Sequence, residues 1–157
     1  MNLVKEINFY HQYHKNPINR ILHIISAPII IWSIGIWMSA TYIIMPITVP
    51  YIMVYYVKLD KQLGLITDIY IAILLLFSKY YYNTTKYACI NALEFQLLGW
   101  ALQLIGHYYF ERNRPVFING VIHTFLMLPF FITTELAFTL GYKRTLHAKA
   151  LIYNVNI

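Results

Sequence analysis

Residues 24–57 read IISAPIIIWSIGIWMSATYIIMPITVPYIMVYYV, a stretch of 34 residues without a charged side chain. One helix that crosses a bilayer needs about 20 apolar residues. The stretch is therefore too long for one crossing and short for two. Pro46 and Pro50 interrupt it, because proline removes a helical hydrogen bond. We predict a first span near 24–43, followed by a short second span or re-entrant piece near 44–57.

The composition of the chain extends this interpretation to the whole molecule. Hydrophobic residues make up 59%, charged residues only 11%, and the mean hydropathy is +0.54, whereas soluble domains carry about 25% charged residues. Further apolar runs are predicted to form helices at 63–82, 87–110 and 116–141. The predicted fold is all-α, a polytopic integral membrane bundle of four to six membrane-embedded helices. We expect residues 1–157 to form a single membrane-embedded domain.

The two ends of the chain are more polar than its middle. Residues 1–23 are predicted to be an interfacial N-terminal segment with an amphipathic helix, and residues 142–157 an interfacial tail. The first twenty residues are too polar for a secretory signal, so we expect none. Asn16-Pro17 is typical of a helix start, with Asn as the cap and Pro in the first turn.

The net charge of +6 comes from Lys and Arg residues in short clusters between apolar runs. Such clusters meet anionic lipid headgroups and set orientation. No basic face or motif indicates nucleic acid, so the predicted partner is the lipid bilayer. The single cysteine, Cys89, excludes an intrachain disulfide.

The segment GHYYFERNRP, Gly106 to Pro115, places His107 and Glu111 four residues apart at the end of an apolar run. With Trp100 and Gln103 they are spaced as one helix face. An imidazole and a carboxylate on one face can share a proton or a metal ion. Gln103 is positioned to orient a ligand or to hold His107 in one tautomer. The alternative is a polar stripe at a helix–helix contact, with His107 and Glu111 bonded to each other.

His14 and His23 are candidate partners of His107. Because Pro17 disfavours helix just before it, we expect His14 and His23 on separate elements that can converge. Three imidazoles with a carboxylate or water suit Fe(II), Zn(II) or Mn(II). The three histidines share one membrane face only if the chain crosses an even number of times between residues 23 and 107. His123 is a candidate fourth ligand or a histidine paired with a neighbouring helix. His11, three residues from His14, is a candidate extra ligand but is expected, like His147, to be interfacial.

The chain resembles the fungal 2-hydroxy fatty acid dioxygenases of the endoplasmic reticulum over nearly its whole length. The similar segments are YHQYHKNPINRILHIISAP, WALQLIGHYYFERNRP and HTFLMLPFFITTE. The marks of the resemblance are Tyr13-His14, Asn16-Pro17, Asn19, His23, Pro28, Trp100, Gln103, Gly106-His107, Glu111, Pro115, Pro129-Phe130 and Glu135. This chain departs from the pattern at Val116, at His123 and at His11.

The resemblance implies an Fe(II)-dependent dioxygenase that uses O2 to cleave 2-hydroxy fatty acids between C1 and C2, as in the α-oxidation that accompanies phytosphingosine breakdown. It implies iron ligands at His14, His23 and His107, with Glu111 as a fourth ligand or a base. Asn19 and Gln103 are then expected to form hydrogen bonds that support the ligand side chains without contacting the metal. Three arginines are candidates for pairing with the substrate carboxylate: Arg20, Arg112 and Arg114.

Two other interpretations compete with this one. Di-iron lipid hydroxylases of the histidine-box type need about eight histidines, and this chain has 6. A metal-free membrane scaffold or lipid-binding protein would use the histidines only in helix contacts, and iron analysis separates it from an enzyme. The resemblance implies the endoplasmic reticulum if the chain is eukaryotic, and the cytoplasmic membrane if it is bacterial.

Overall fold

The computed structural model describes residues 2–41, 43–114 and 121–153, with the side chains at 121 and 122 excepted. Its α-helices, in chain order, are α1 (Leu3–Gln12), α2 (Pro17–Ser39), α3 (Ile44–Leu59), α4 (Lys61–Thr84), α5 (Ala88–Ile105), α6 (Val121–Thr139) and α7 (Arg144–Ile152). A π-helical turn, Gly106–Glu111, continues α5.

Helix α2 begins where the Asn16-Pro17 pair predicted. Asn16 Oδ1 accepts a hydrogen bond from the N–H of Ile18 at 2.9 Å, and Pro17 is the first residue of the helix. An N–H at this position would have no partner within the helix, so proline costs no hydrogen bond here. The helix continues through Pro28 to Ser39. It therefore includes residues 17–23, which the sequence assigned to the interfacial segment, because nothing in the sequence breaks the helix before the apolar run.

The uncharged stretch divides into two helices, as predicted, but the prolines do not interrupt it: the break comes before Pro46, and Pro50 lies inside α3. Helix α2 ends at Ser39 and α3 starts at Ile44, so that Pro46 falls in the first turn of α3, where proline is tolerated. With 16 residues, α3 measures about 24 Å, which is shorter than a hydrocarbon core of about 30 Å. It is the short second piece that the sequence predicted.

Close contacts at glycines establish the relative directions of the long helices. Gly35, near the end of α2, faces Ser78, near the end of α4, so these two helices are parallel. Gly106, just after α5, faces Asn19 at the start of α2, so α5 is antiparallel to both. The chain thus returns to the N-terminal end of α2 before His107. This arrangement agrees with the even number of crossings that a shared histidine site requires.

Helix α6 closes the bundle against α3 and α4. The Tyr56 hydroxyl donates to the backbone carbonyl of Leu126, and the hydroxyls of Thr67 and Thr133 lie 2.6 Å apart. Tyr56 and Phe130 are buried in the same apolar cluster. These bonds fix α6 so that its C-terminal half lies near the start of α2.

Helix α7 turns back by 110° from α6 and lies against α1. Ile7, Phe138 and Ala150 form a buried cluster between them, and the Asn8 side-chain amide donates to the Ala150 carbonyl at 2.7 Å. The tail, predicted to be interfacial, thereby covers the N-terminal helix over its described residues; 154–157 lie outside them.

The helices fit an integral membrane protein. In the described part of the chain, α2, α4 and α5 with its π-turn are each long and apolar enough to span a membrane, and α6 with α7 is a further, bent candidate. Large apolar side chains face outward, with Leu76 70% and Leu97 63% exposed, as lipid contact requires. The predicted all-α membrane bundle is confirmed. The predicted start of the last apolar helix, residues 116–120, lies outside the described residues.

Candidate metal centre

Three histidines from three elements form a triangle at one end of the bundle. His14 lies in the connection between α1 and α2, His23 on α2, and His107 in the π-turn. Their ring centroids are 4.5 Å apart for His14–His23 and 4.9 Å for each of the other two pairs. One ring nitrogen from each lies within 4.8 Å of the other two. Among the described residues no other His, Cys, Asp or Glu group meets this test.

Backbone carbonyls fix the tautomers of two of these rings. His14 Nδ1 lies 2.8 Å from the Tyr10 carbonyl and His23 Nδ1 lies 2.9 Å from the Asn19 carbonyl. A carbonyl only accepts, so each Nδ1 carries the proton and each Nε2 keeps a free lone pair. Metal-binding histidines are usually held in this way.

Burial keeps the His14 ring in the form that binds metal. Loss of water around the ring lowers the pKa of His14 well below its ordinary value, and the neighbouring His23 lowers it further. A neutral imidazole has the lone pair that a metal needs. His107 is also buried, and its Nδ1 has no hydrogen-bond partner in the described structure. Three neutral nitrogen donors with one unpartnered buried atom fit a bound divalent ion.

Glu111 ties the two ends of the site together. Its carboxylate accepts hydrogen bonds from the N–H groups of Lys15 and Asn16, at 2.9 Å each, and from the Asn19 side-chain amide at 3.1 Å. These bonds hold the connection that carries His14 against the π-turn that carries His107. Glu111 is not in the histidine cluster itself. Its bonds favour a positioning role over direct ligation.

The π-turn sets the directions of His107 and Glu111. The sequence predicted one continuous α-helical face from Trp100 to Glu111, but the helix widens at Gly106 and ends at Arg112, in the left-handed region with φ 55°. A Cβ atom at Gly106 would overlap Asn19 Oδ1. Glycine is therefore needed here to let the π-turn approach the start of α2.

Comparison with known proteins places the chain in a family. A family model described as 2-hydroxy-palmitic acid dioxygenase Mpo1-like matches residues 1–140. The chain belongs to this Mpo1-like family. It is 28% identical over 153 residues to the 2-hydroxy-palmitic acid dioxygenase MPO1 of Saccharomyces cerevisiae, with 94% of this chain and 87% of the yeast protein covered. No solved structure matches the chain.

Two amides predicted to support the ligands of this Mpo1-like chain take different roles. Asn19 holds His23 through its backbone carbonyl and reaches Glu111 through its side chain. Gln103 is buried one turn before His107, and its Nε2 has no hydrogen-bond partner among the described residues. No hydrogen bond joins Gln103 and His107 in the described part of the chain, so the tautomer role predicted for Gln103 stays a prediction.

The three candidate arginines are placed very differently. Arg20, on α2, donates from Nη1 to Glu135 Oε1 at 2.7 Å, and Glu135 is buried. Arg112 and Arg114 are exposed beyond the π-turn. Only Arg20 of the three is held by a buried partner.

The remaining histidines stay outside the triangle. His123, a candidate fourth ligand, lies on α6 and is not in the cluster. His11 Nδ1 lies 4.0 Å from Glu135 Oε2, and its ring is 5.3 Å from that of His147. Both were expected to be interfacial, yet they form a second polar group between α1 and α7.

Sequence reasoning missed Tyr10 and the part played by Glu135. The Tyr10 ring lies between His14 and Phe131, with centroid distances of 4.0 and 4.7 Å. Tyr10 lies four residues before His14, but His14 follows the end of α1, so helix-face spacing alone does not predict this contact. Glu135 was one of the marks of the resemblance, but no local pattern connects it with Arg20.

Proposed function

We propose that this Mpo1-like chain is an Fe(II)-dependent membrane dioxygenase that cleaves the C1–C2 bond of 2-hydroxy long-chain fatty acids. The product is the fatty acid one carbon shorter. The observation that carries the proposal is the triangle formed by His14, His23 and His107. The similarity to the yeast 2-hydroxy-palmitic acid dioxygenase supports the substrate class.

The reaction balances without an external reductant. A 2-hydroxy acid and O2 together give the shorter acid, CO2 and water, so that O2 accepts all the electrons released when C2 becomes a carboxyl group and C1 becomes CO2. Side chains alone do not activate O2, and bound Fe(II) would supply that chemistry.

The chain's own residues hold and shape the site. His14, His23 and His107 provide three neutral nitrogen donors, and the carbonyls of Tyr10 and Asn19 keep two of the rings in the binding tautomer. Open positions beside histidine ligands are typical of non-haem iron enzymes that use O2.

The apolar helices suit a long-chain substrate. Each methylene that the acyl chain buries against them contributes about 0.8 kcal/mol. The membrane concerned would be the endoplasmic reticulum in a eukaryote and the cytoplasmic membrane in a bacterium.

The test uses purified protein loaded with Fe(II). Incubation with 2-hydroxypalmitate is expected to yield the C15 acid in air and none under anaerobic conditions. His14→Ala, His23→Ala and His107→Ala should each lose bound iron and the product. His123→Ala, a histidine outside the triangle, should keep both.

Two results contradict the proposal in different ways. Product formation by the three triangle variants would show that the ligand assignment is wrong. Wild-type protein without stoichiometric iron and without product would favour the metal-free scaffold or lipid-binding protein instead.

A further inference from the structure

The ion pair of Arg20 and Glu135 lies beside the metal centre and is built from two helices. Arg20 is three residues before His23 on α2, so the two side chains lie on neighbouring positions of the same helix face. Glu135 reaches it from α6 and is only 4% exposed. A buried carboxylate requires a charged partner, and Nη1 of Arg20 supplies it at 2.7 Å.

The pair leaves one edge of the guanidinium open. Arg20 Nε is buried and has no hydrogen-bond partner in the part of the chain that the structure describes. The bond to Glu135 uses Nη1 only. The free Nε–H and the adjacent Nη2 form a fork that matches the two oxygens of a carboxylate.

Other unpartnered polar atoms belong to residues near this ion pair. Tyr10 Oη and His11 Nε2 are buried without a hydrogen-bond partner among the described residues. His11 Nδ1 lies 4.0 Å from Glu135 Oε2, and the Tyr10 ring stacks on His14. Buried polar atoms are nearly always satisfied, so several open ones near one ion pair indicate a polar ligand.

We propose that the open edge of Arg20 binds the carboxylate of the 2-hydroxy fatty acid, and that Glu135 holds the guanidinium in position. This inference rests on the proposed function and assigns the recognition of the acid headgroup. Arg20 is then a substrate-binding residue, and Glu135 a positioning residue that acts through it.

The same geometry explains why Arg112 and Arg114 are poorer candidates. Both are exposed, and a charged pair made in water contributes little to binding. Arg20 is held next to His23 by a buried partner, so less side-chain freedom is lost when a ligand binds.

The charge of Glu135 has a second, measurable effect. It lies on the same guanidinium that the substrate carboxylate would contact, so the two carboxylates repel each other. Glu135→Gln keeps an oxygen that accepts from Nη1 but removes the repulsion. We therefore expect Glu135→Gln to bind the acid better than the wild type does, because the hydrogen bond to Nη1 remains and the repulsion is gone.

The experiment compares two ligands under anaerobic conditions, with the full-length iron-containing protein in detergent. One ligand is 2-hydroxypalmitate; the other is 1,2-hexadecanediol, which has CH2OH in place of the carboxylate. The measured quantity is the ratio of the two dissociation constants, diol over acid. Glu135→Gln should raise this ratio by about threefold or more.

The double variant Arg20→Gln/Glu135→Gln removes the guanidinium without leaving a buried charge unpaired. It should lower the ratio by about 10- to 100-fold relative to Glu135→Gln, since a hydrogen bond to a charged group is lost. Arg112→Gln/Arg114→Gln is the matched control, and its ratio should equal that of the wild type.

The outcomes separate this inference from the proposed function. If the wild type cleaves 2-hydroxypalmitate but the double variant keeps the wild-type ratio, the role of Arg20 is refuted and the proposed function stands. Equal weakening of both ligands also refutes it, because a structural defect does not distinguish acid from diol. An unchanged ratio in Glu135→Gln removes the role of Glu135. A wild type that binds neither ligand and forms no shorter acid contradicts the proposed function itself.

Discussion

At the scale of single residues, Glu111 joins parts of the chain that are 95 or more positions apart. Its two oxygens accept from the backbone N–H groups of Lys15 and Asn16. A carboxylate suits this place because both of its oxygens are acceptors, whereas an amide has only one. The side chain that the sequence offered as a fourth ligand thus closes the loop that carries His14.

Glu111→Gln should weaken iron binding about 10- to 100-fold without changing its stoichiometry. Mutations of residues that support metal ligands through hydrogen bonds usually have an effect of this size. The amide would turn an N–H group toward one of the two backbone donors and loosen the connection that holds His14. Iron titration followed by metal analysis measures both quantities. Glu94→Gln, at an exposed position of α5, is the control and should bind iron like the wild type. Loss of stoichiometric iron at saturation would show that Glu111 is a ligand.

At the scale of elements, the π-turn allows one helix to contribute two side chains to the site, His107 and Glu111. It holds six residues, with Arg112 N–H bonded back to the carbonyl of His107. Such turns within α-helices are frequent at functional sites. Here the wider turn directs His107 to the other histidines and Glu111 to the connection between α1 and α2.

Inserting one alanine after Tyr109, which is 76% exposed, should add a residue to a turn that already holds one more than an α-turn. Glu111 would then rotate by about 100° relative to His107 and leave Lys15 and Asn16. We expect iron affinity to fall at least as far as in Glu111→Gln, while circular dichroism shows unchanged helix content. Tyr109→Ala keeps the register and should bind iron normally. Wild-type affinity in the insertion variant would mean that the register of the π-turn is not required.

At the scale of the whole molecule, Asp60 and Lys143 connect the two halves of the bundle. Lys143 Nζ lies 2.6 Å from Asp60 Oδ2, across 83 residues. Asp60 Oδ1 also caps α4 by accepting from the N–H groups of Gln62 and Leu63, at 3.0 Å each. This one carboxylate orders the turn before α4 and ties it to the connection between α6 and α7.

Asp60 should make stability depend on pH. Burial opposes its ionisation, but the hydrogen bond from Lys143 and the capping bonds outweigh it and lower the pKa of Asp60 below its usual value of 3.8. The folded state therefore favours the charged form. The stabilisation is present above the unfolded pKa and is lost as the pH falls through the lower folded one.

The prediction concerns the thermal unfolding of metal-free protein in detergent, followed from pH 7 downward. Asp60→Asn keeps a capping side chain but has no charge to lose, so its Tm should be lower at neutral pH and fall less on acidification. Equal pH dependence in both proteins would show that the pair with Lys143 contributes nothing.

Much of the site was predictable because its signals are local. The Asn16-Pro17 pair marks a helix start through capping chemistry, and the length of the uncharged stretch indicates two apolar helices. His14, His23 and His107 stand out as polar residues bordering apolar runs. If these histidines share one site, the chain must cross the membrane an even number of times between residues 23 and 107, and this condition follows from their positions in the sequence.

The π-turn and the Arg20–Glu135 pair were not predictable in this way. An extra residue in a helical turn leaves no mark in a hydrophobic pattern, since 106–111 read equally well as α-helix. Arg20 and Glu135 are 115 positions apart, and no periodicity connects them.

The sequence by itself determined an all-α membrane bundle and the histidines that border it, because apolar runs and capping residues act over a few neighbouring positions. Only the tertiary structure decided which groups meet. The antiparallel packing of α2 and α5 assembles the histidine triangle, and α6 brings Glu135 to Arg20. Glu111 is bonded to backbone N–H groups beside His14, outside the triangle. Such pairings depend on the directions and depths of helices that are far apart in the chain.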